Sequence, residues 1–295
     1  METQPKAETQ AITEPSAPAA GPDWVTYQDG KESNWETLSA RVTQADVILI
    51  GEQHDNALAH ELELKLVETV LTHTPNAAVA MEMFERDEQT IVDFYTQGKI
   101  SDKALFEATD SKSWGGNEDN WRAWYLPVVD AVRHHQAHGA RLITANTPRA
   151  YVKLARIEDH AVLTAIAAQS PEERFVTPDA EVDDTAYRDR FFALMGGHGH
   201  GHGHGHAMDT SGFFRAQQLW DATMADAVLD AHASHPKVVL LVGDFHIASE
   251  GGLAQRVRHA APGLDVITVS IIRQEDPTTF DEDDKDRADF VIYTR

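Results

Sequence analysis

Two short segments of the chain have the form Gly-x-x-His: Gly51-Glu52-Gln53-His54 and Gly243-Asp244-Phe245-His246. Each follows a run of apolar residues, "DVILI" at 46–50 and "KVVLLVG" at 237–243. Glycine lets the backbone turn sharply where a strand ends, and the histidine three residues on can point back across the rim of a sheet. A further polar residue, Glu82, stands between two methionines in the apolar run "AAVAMEMF" at 77–84, where a carboxylate is costly unless something pairs with it. His54, Glu82 and His246 are therefore expected to share one cleft, with Glu52 and Asp244 beside them. Such a set suits a divalent metal held by His54 and His246, or a histidine general base with an acidic partner, the equipment of a hydrolase acting on an ester or peptide bond. The competing reading is a set of independent turns and caps, with Asp55 or Asn56 simply starting the next helix.

A different chemistry is written at 198–206, where His198, His200, His202, His204 and His206 alternate with glycine. Extended, such a chain projects its rings from one side at about 6–7 Å spacing. Neutral imidazole takes zinc, copper, nickel or cobalt with affinity following the Irving–Williams order and little selectivity from a floppy loop. The tract could collect free metal or act as a pH sensor. It is expected to be an accessory to a site built elsewhere.

The elements that must position these residues follow from the apolar pattern. Continuous Val, Ile and Leu runs at 46–50, 77–84, 140–146, 237–243, 264–272 and 289–294 alternate with helical segments, which predicts an α/β fold: a mainly parallel sheet covered by helices on both faces. A short strand and an Asp-Gly turn precede a helix starting at Ser33 or Asn34, and another helix runs from Ala57 to about His73. Only helical patterns occupy about 149–235, a helical cap inserted before the last three strands. In a parallel sheet, ligands sit outside the carboxyl ends of the strands, where the two Gly-x-x-His motifs fall. Asp221, Met224 and Gln217 fall on one helix face, which either packs beneath that cleft with Asp221 orienting a histidine or serves only as a helix cap and ordinary packing.

Composition bounds the function classes. The chain has 295 residues, 42% of them hydrophobic, enough for one domain with a core over 23–295. Residues 1–22, rich in Pro, Ala, Thr and Gln, read as a flexible tail without the apolar core of a signal peptide. A net charge of −23 disfavours nucleic acid and anionic lipid as partners. The absence of cysteine removes disulfides, thiolate ligands and thiol catalysis. No run of about 18 apolar residues is present, so no transmembrane segment is expected.

Taken in order, "VILIGEQHDNALAHELELKLV", "AVAMEMFERDEQ", "RLITANTPRAYV", "FFRAQQLWDATMADAV" and "VVLLVGDFHIASEGGLAQRV" resemble the ChaN-like family of iron-regulated haem-binding lipoproteins, over residues 24–272. The paired motifs and the intervening Glu82 also resemble the wider superfamily of Tiki and TraB-type proteins and erythromycin esterases. The resemblance implies an α/β fold, a periplasmic or outer-membrane-associated protein of iron or haem uptake or storage, and haem bound at the helical cap with help from a homodimer partner. It implies a tyrosine as iron ligand, supported by a histidine of the other subunit. Two features depart from the pattern: no lipobox cysteine is present, which fits either a mature form lacking its lipid anchor or a member without one, and the Gly-His tract has no counterpart.

A haem site needs an apolar slot, an iron ligand and cations near the propionates. The ligand candidates are Tyr151, at the start of the cap, and Tyr187, which has Arg188, Arg190 and Phe191 close by in sequence. Next to Tyr187 in sequence, the Gly-His tract could supply a second ligand to haem. Tyr95 and Tyr125 rank below them, and the aromatic density of "NWRAWYLPVV" at 120–129 reads as helix packing. The expected function is thus haem binding with an additional metal-binding loop; the alternative is a hydrolase using His54, Glu82 and His246.

Overall fold

The computed structural model describes residues 22–179, 181–197 and 210–295. The tail up to residue 21 and the tract histidines His198, His200, His202, His204 and His206 lie outside the described residues. Eight strands join in one sheet: β1 (Trp24–Gln28), β2 (Lys31–Ser33), β3 (Val47–Glu52), β4 (Ala78–Glu85), β5 (Arg141–Asn146), β6 (Val238–Gly243), β7 (Val266–Arg273) and β8 (Phe290–Thr294). Their spatial order is β2-β1-β8-β7-β3-β6-β4-β5. From β8 to β5 every neighbour is parallel. The N-terminal hairpin adds an antiparallel edge, β1 against β8 and β2 against β1.

That hairpin carries a strand the sequence pattern did not reveal, because β2 is three polar or charged residues, Lys31–Ser33. Its turn is legible: Asp29 and Gly30 both adopt positive φ, 52° and 72°, as the right-handed twist of a two-residue hairpin requires.

Helices α1 (Trp35–Gln44), α2 (Ala57–His73), α3 (Gln89–Thr96), α4 (Asp102–Ala108), α5 (Glu118–Trp124) and α6 (Leu126–His135) precede β5. Asn34 caps α1 by accepting from Thr37 N at 2.8 Å, and Asn56 caps α2 by accepting from Ala59 N at 3.2 Å. Their apolar stripes cover one face of the sheet, where Leu38, Leu62, Leu66, Trp121 and Val128 meet Ile48, Ile50, Val79 and Leu241. The alternate strand residues Val47, Leu49, Ala80, Leu240 and Val242 point the other way, against α10 (Thr210–His232) and α11 (Gly252–Ala260). Burial on both faces explains why these strands read as unbroken apolar runs.

Between β5 and β6 the chain forms α7 (Arg149–Ala155), α8 (His160–Gln169), α9 (Thr185–Gly197) and α10. The long helix α10 has two jobs. Its Ala216 and Leu219 pack with Val152, Leu163 and Phe175 of the inserted helices, while Met224, Ala227 and Val228 lie on the sheet. One rigid rod of about 34 Å, at 1.5 Å per residue, therefore carries side chains from the cap to the middle of the core.

Candidate functional site

The parallel register places the two motifs level with each other: Gly51 pairs with Val242, and Glu52 with Gly243. On the next strand the β4–β5 ladder shifts register between Met81 and Glu85, so Glu82 is presented at the same rim by an irregular strand end. The close approach depends on glycine at both motifs. A Cβ on Gly51 would lie 2.7 Å from Asp244 Oδ1 and 2.9 Å from Asp244 Cα, and one on Gly243 would lie 3.1 Å from His54 Nε2 and 3.5 Å from Glu82 Oε2.

His54, Glu82, His246 and Glu52 are thus brought together. Glu82 Oε2 accepts from Gly243 N–H at 2.6 Å, and its Oε1 lies 3.4 Å from His246 Nε2. On the other side of the ring, His246 Nδ1 is 2.5 Å from Oδ1 of Asp221, on α10. Burial alone would lower the pKa of His246, but Glu82 and Asp221 outweigh it and hold it up at about 10. At neutral pH this ring is an imidazolium donating from both nitrogens, so it lacks the lone pair that a general base needs. His54, whose side chain is 38% exposed, sits 2.6 Å from Glu52 Oε1 through Nδ1. Its pKa is raised: burial opposes this, and Glu52 and Glu82 prevail.

Asp244 is not part of the cluster. It turns to the opposite side of the strand end, where Oδ1 accepts from Ser270 Oγ at 2.5 Å and Oδ2 from Arg287 at 2.6 Å. It ties β6 to β7 and to the loop before β8.

The tyrosines separate. Tyr187 is fully buried, and its hydroxyl accepts from Gln217 Nε2 at 2.8 Å. Burial first, then Asp221, raises its pKa well above that of a free phenol. Tyr187 therefore belongs to the His246–Asp221 network instead of lining an open slot, with Phe191 and Phe214 packed on it. Arg190 donates to the carbonyls of Ser249 and Ala248 at 2.6 and 2.9 Å, and the exposed Arg188 pairs with Asp189 at 3.6 Å. Tyr151 is half-buried and stacked on Phe175, ring centroids 4.1 Å apart. Burial and Glu173 push its pKa up to about 12.

A cavity of about 430 Å³ opens beside the cluster, lined by Trp114, Trp220, Val152, Arg149, Lys153 and Arg156 among others. Both indoles touch the motif histidines: Trp114 edges onto His54 at 4.8 Å, and Trp220 onto His246 at 6.4 Å between centroids. Arg149 is paired with Glu85 at 3.3 Å and Asp110 at 3.1 Å. The exposed Lys153 and Arg156 have no carboxylate partner among the described residues. The cavity is lined by two indoles and three cationic side chains, with Glu85 and Asn146 also in its wall.

Two residues joined to Glu52, His60 and Glu63, escaped the sequence reading, and Tyr125, ranked there as a lesser haem-ligand candidate, is a third partner. Tyr125 donates to Glu52 Oε1 at 3.1 Å, and His60 Nδ1 lies 3.1 Å from Glu63 Oε2 and 3.4 Å from Glu52 Oε2. Burial and Glu52 push the Glu63 pKa up to about 8. The signal was in α2, where His60 and Glu63 occupy the buried stripe with Ala59, Leu62 and Leu66, positions that ordinarily take apolar residues.

A family model described as haem-binding uptake, Tiki superfamily, ChaN matches residues 38–257. No curated protein matches the chain. Among solved structures, ChaN of Campylobacter jejuni, reported with cofacial haem binding, is similar at 17% identity and a TM-score of 0.61, covering 92% of this chain and 97% of that one. The type III effector HopBA1 gives 13% identity and a TM-score of 0.47, covering 88% and 92%. An erythromycin esterase mutant in its open conformation gives 12% and 0.45, covering 85% and 77%.

Proposed function

Because the chain belongs to the ChaN haem-binding uptake family of the Tiki superfamily, we propose that it binds haem at the edge of its helical cap and serves haem or iron uptake or storage at the bacterial cell envelope. The observation that carries the location is the cavity between Trp114 and Trp220. Haem is a flat apolar ring with two carboxylates on one edge. The indoles would take the ring, and Lys153 and Arg156, unpaired with carboxylates among the described residues, would take the propionates. The residues present fit the group.

Haem bound there would supply an iron centre that a protein side chain holds. Tyr151 is the ligand candidate on α7, the helix that also contributes Arg149, Val152 and Lys153 to the cavity. The Tyr151 ring stacks on Phe175, and its phenol would be the group that holds the iron. The tract from His198 to His206 is the auxiliary donor in this reading, close in sequence to α9, and holds zinc, copper or nickel when no haem is present.

A homodimer fits the same reading. On the cap, Ile157 is 76% exposed and Val162 39%, apolar surface of the kind that a second copy and its haem would cover. No helix among the described residues is long and apolar enough to cross a membrane, so the envelope location proposed is periplasmic or peripheral at the outer membrane.

Hemin added to the full chain should give a stoichiometric Soret band, shifted or weakened in Tyr151→Phe. A spectrum equal to that of free hemin at equimolar protein would end this reading.

A further inference from the structure

Behind Glu52, away from the cavity, His60 Nδ1, Glu52 Oε2 and Glu63 Oε2 converge in the core. One ligand atom from each residue can be chosen so that all three lie within 4.8 Å of one another, and all three residues are buried. We propose that Glu52, His60 and Glu63 form a binding site for a single divalent first-row metal ion, distinct from the haem cavity and from the Gly-His tract.

The hydrogen-bond chemistry leads there. His60 Nε2 lies 3.3 Å from the carbonyl oxygen of His54. A carbonyl only accepts, so Nε2 carries a proton and donates it. In the neutral ring Nδ1 is then a lone pair, and it faces two carboxylate oxygens, at 3.1 and 3.4 Å, that are acceptors as well. Something positive must lie between these three atoms, either protons on Nδ1 and on Glu63 or a metal ion that replaces them. A proton on Nδ1 answers part of the demand, yet Glu52 Oε2 and Glu63 Oε1 remain buried without a hydrogen-bond partner, a condition that proteins rarely tolerate.

The cations that act most strongly on Glu52 and Glu63 are the imidazoles of His54 and His60. His60, held up at about 10, and Glu63, held up at about 8, keep their protons at neutral pH, so an ion would bind here by displacing those two protons, as metal ligands must lose theirs. A divalent ion would neutralise both carboxylates and use the Nδ1 lone pair. Moving the ligand atoms inward to about 2.0–2.2 Å from a common centre is a small contraction for side chains already this close.

The outer contacts match those of built metal sites. The non-ligating nitrogen of His60 is fixed by a backbone carbonyl, and Tyr125 donates to the other oxygen of Glu52, the kind of support that orients ligands and sets affinity. Trp124 stacks on the His60 ring at 4.8 Å and fixes its plane. The half-exposed His54, resting on Glu52, gives the ion its way in. Two carboxylates and one imidazole favour harder ions such as Mn²⁺ or Fe²⁺ over the softer Cu⁺.

Mn²⁺ is the probe of choice, because imidazole-only loops bind it weakly while carboxylates bind it well. Titrating the full chain and following the six-line signal of free Mn²⁺ by electron paramagnetic resonance should show about one ion taken up per chain. Glu63→Gln, nearly the same shape, should weaken that site at least tenfold, as should His60→Gln, whereas Asp179→Asn in the exposed Asp179, Glu181 and His259 group should leave it unchanged. The same ion should raise the Tm of the wild-type chain and not that of either site variant. No uptake by the wild type, or uptake unaffected by both site variants while they retain native near-UV circular dichroism, would overturn the proposal.

Discussion

His246 Nδ1 lies 2.5 Å from Oδ1 of Asp221, and this one contact joins the carboxyl end of β6 to the middle of α10. Asp221 is fully buried, and its second oxygen has no hydrogen-bond partner, so its charge is answered mainly through the imidazolium. Asp221→Asn leaves that cation with Glu82 alone. Removing one partner of a buried pair costs about 3–5 kcal/mol, and urea denaturation should show a loss of that size. A change below about 1 kcal/mol would mean that Arg256, the other cation acting near Asp221, carries the charge instead.

The same pair sets a pH dependence. His246 has its pKa raised to about 10 in the fold, against about 6.5 unfolded. The proton is bound more tightly in the native state, so this stabilisation is fully present below pH 6.5 and is lost as pH rises through 10. Glu63, raised to about 8, acts in the same direction because its neutral form is the native one. Glu52 and Glu82 are lowered despite burial, by His54 and His60 for the first and His246 for the second, and they remove stability as pH falls. Tm should therefore be highest between about pH 4.5 and 6.5, falling as pH rises toward 10 and again as pH drops below about 4.5, and His246→Gln should flatten the alkaline limb. An alkaline limb identical in the variant would assign it to other groups.

The glycines of the two motifs should differ in their tolerance. A Cβ on Gly51 meets the backbone of Asp244 at 2.9 Å, whereas one on Gly243 meets the ring of half-exposed His54 at 3.1 Å. Backbone cannot give way as a partly exposed side chain can. Gly51→Ala should cost about 1–3 kcal/mol, more than Gly243→Ala, while Gly243→Ala should displace His54 from Glu82 and lower its pKa by histidine NMR. Equal stability losses would place the constraint elsewhere.

Tyr187 and Tyr151 should part company in haem binding. The Tyr187 hydroxyl is engaged with Gln217 at 2.8 Å, so Tyr187→Phe should cost about 1 kcal/mol of stability and leave the hemin spectrum unchanged. Tyr151→Phe should do the reverse. A Soret band lost in Tyr187→Phe alone would show that α9 opens to admit the iron.

Much of this was legible because burial on two faces writes parallel strands as apolar runs, and the polar residues that end them stand out. The convergence of His54, Glu82 and His246, and the role of Asp221 on α10, follow from that logic. Asp244 did not, since adjacent residues past a strand end point to opposite sides and only the register decides which one faces the rim. His60 and Glu63 carried a signal, as polar residues on the Ala59, Leu62 and Leu66 stripe of α2, but the exposed Glu61 and Lys65 interrupt that stripe in sequence and mask it. The cavity was hidden for a different reason: Trp114, α7 and Trp220 come from three separate stretches of chain that only the tertiary fold assembles.

The location proposed for haem is tested most directly by the rate at which hemin leaves the protein for excess apomyoglobin, comparing the wild type with Lys153→Glu/Arg156→Glu. Reversing both cationic charges lining the cavity should speed release at least about tenfold, equivalent to about 1.4 kcal/mol, with the fold intact. Release at the wild-type rate from the doubly substituted chain would contradict a haem held between Trp114 and Trp220.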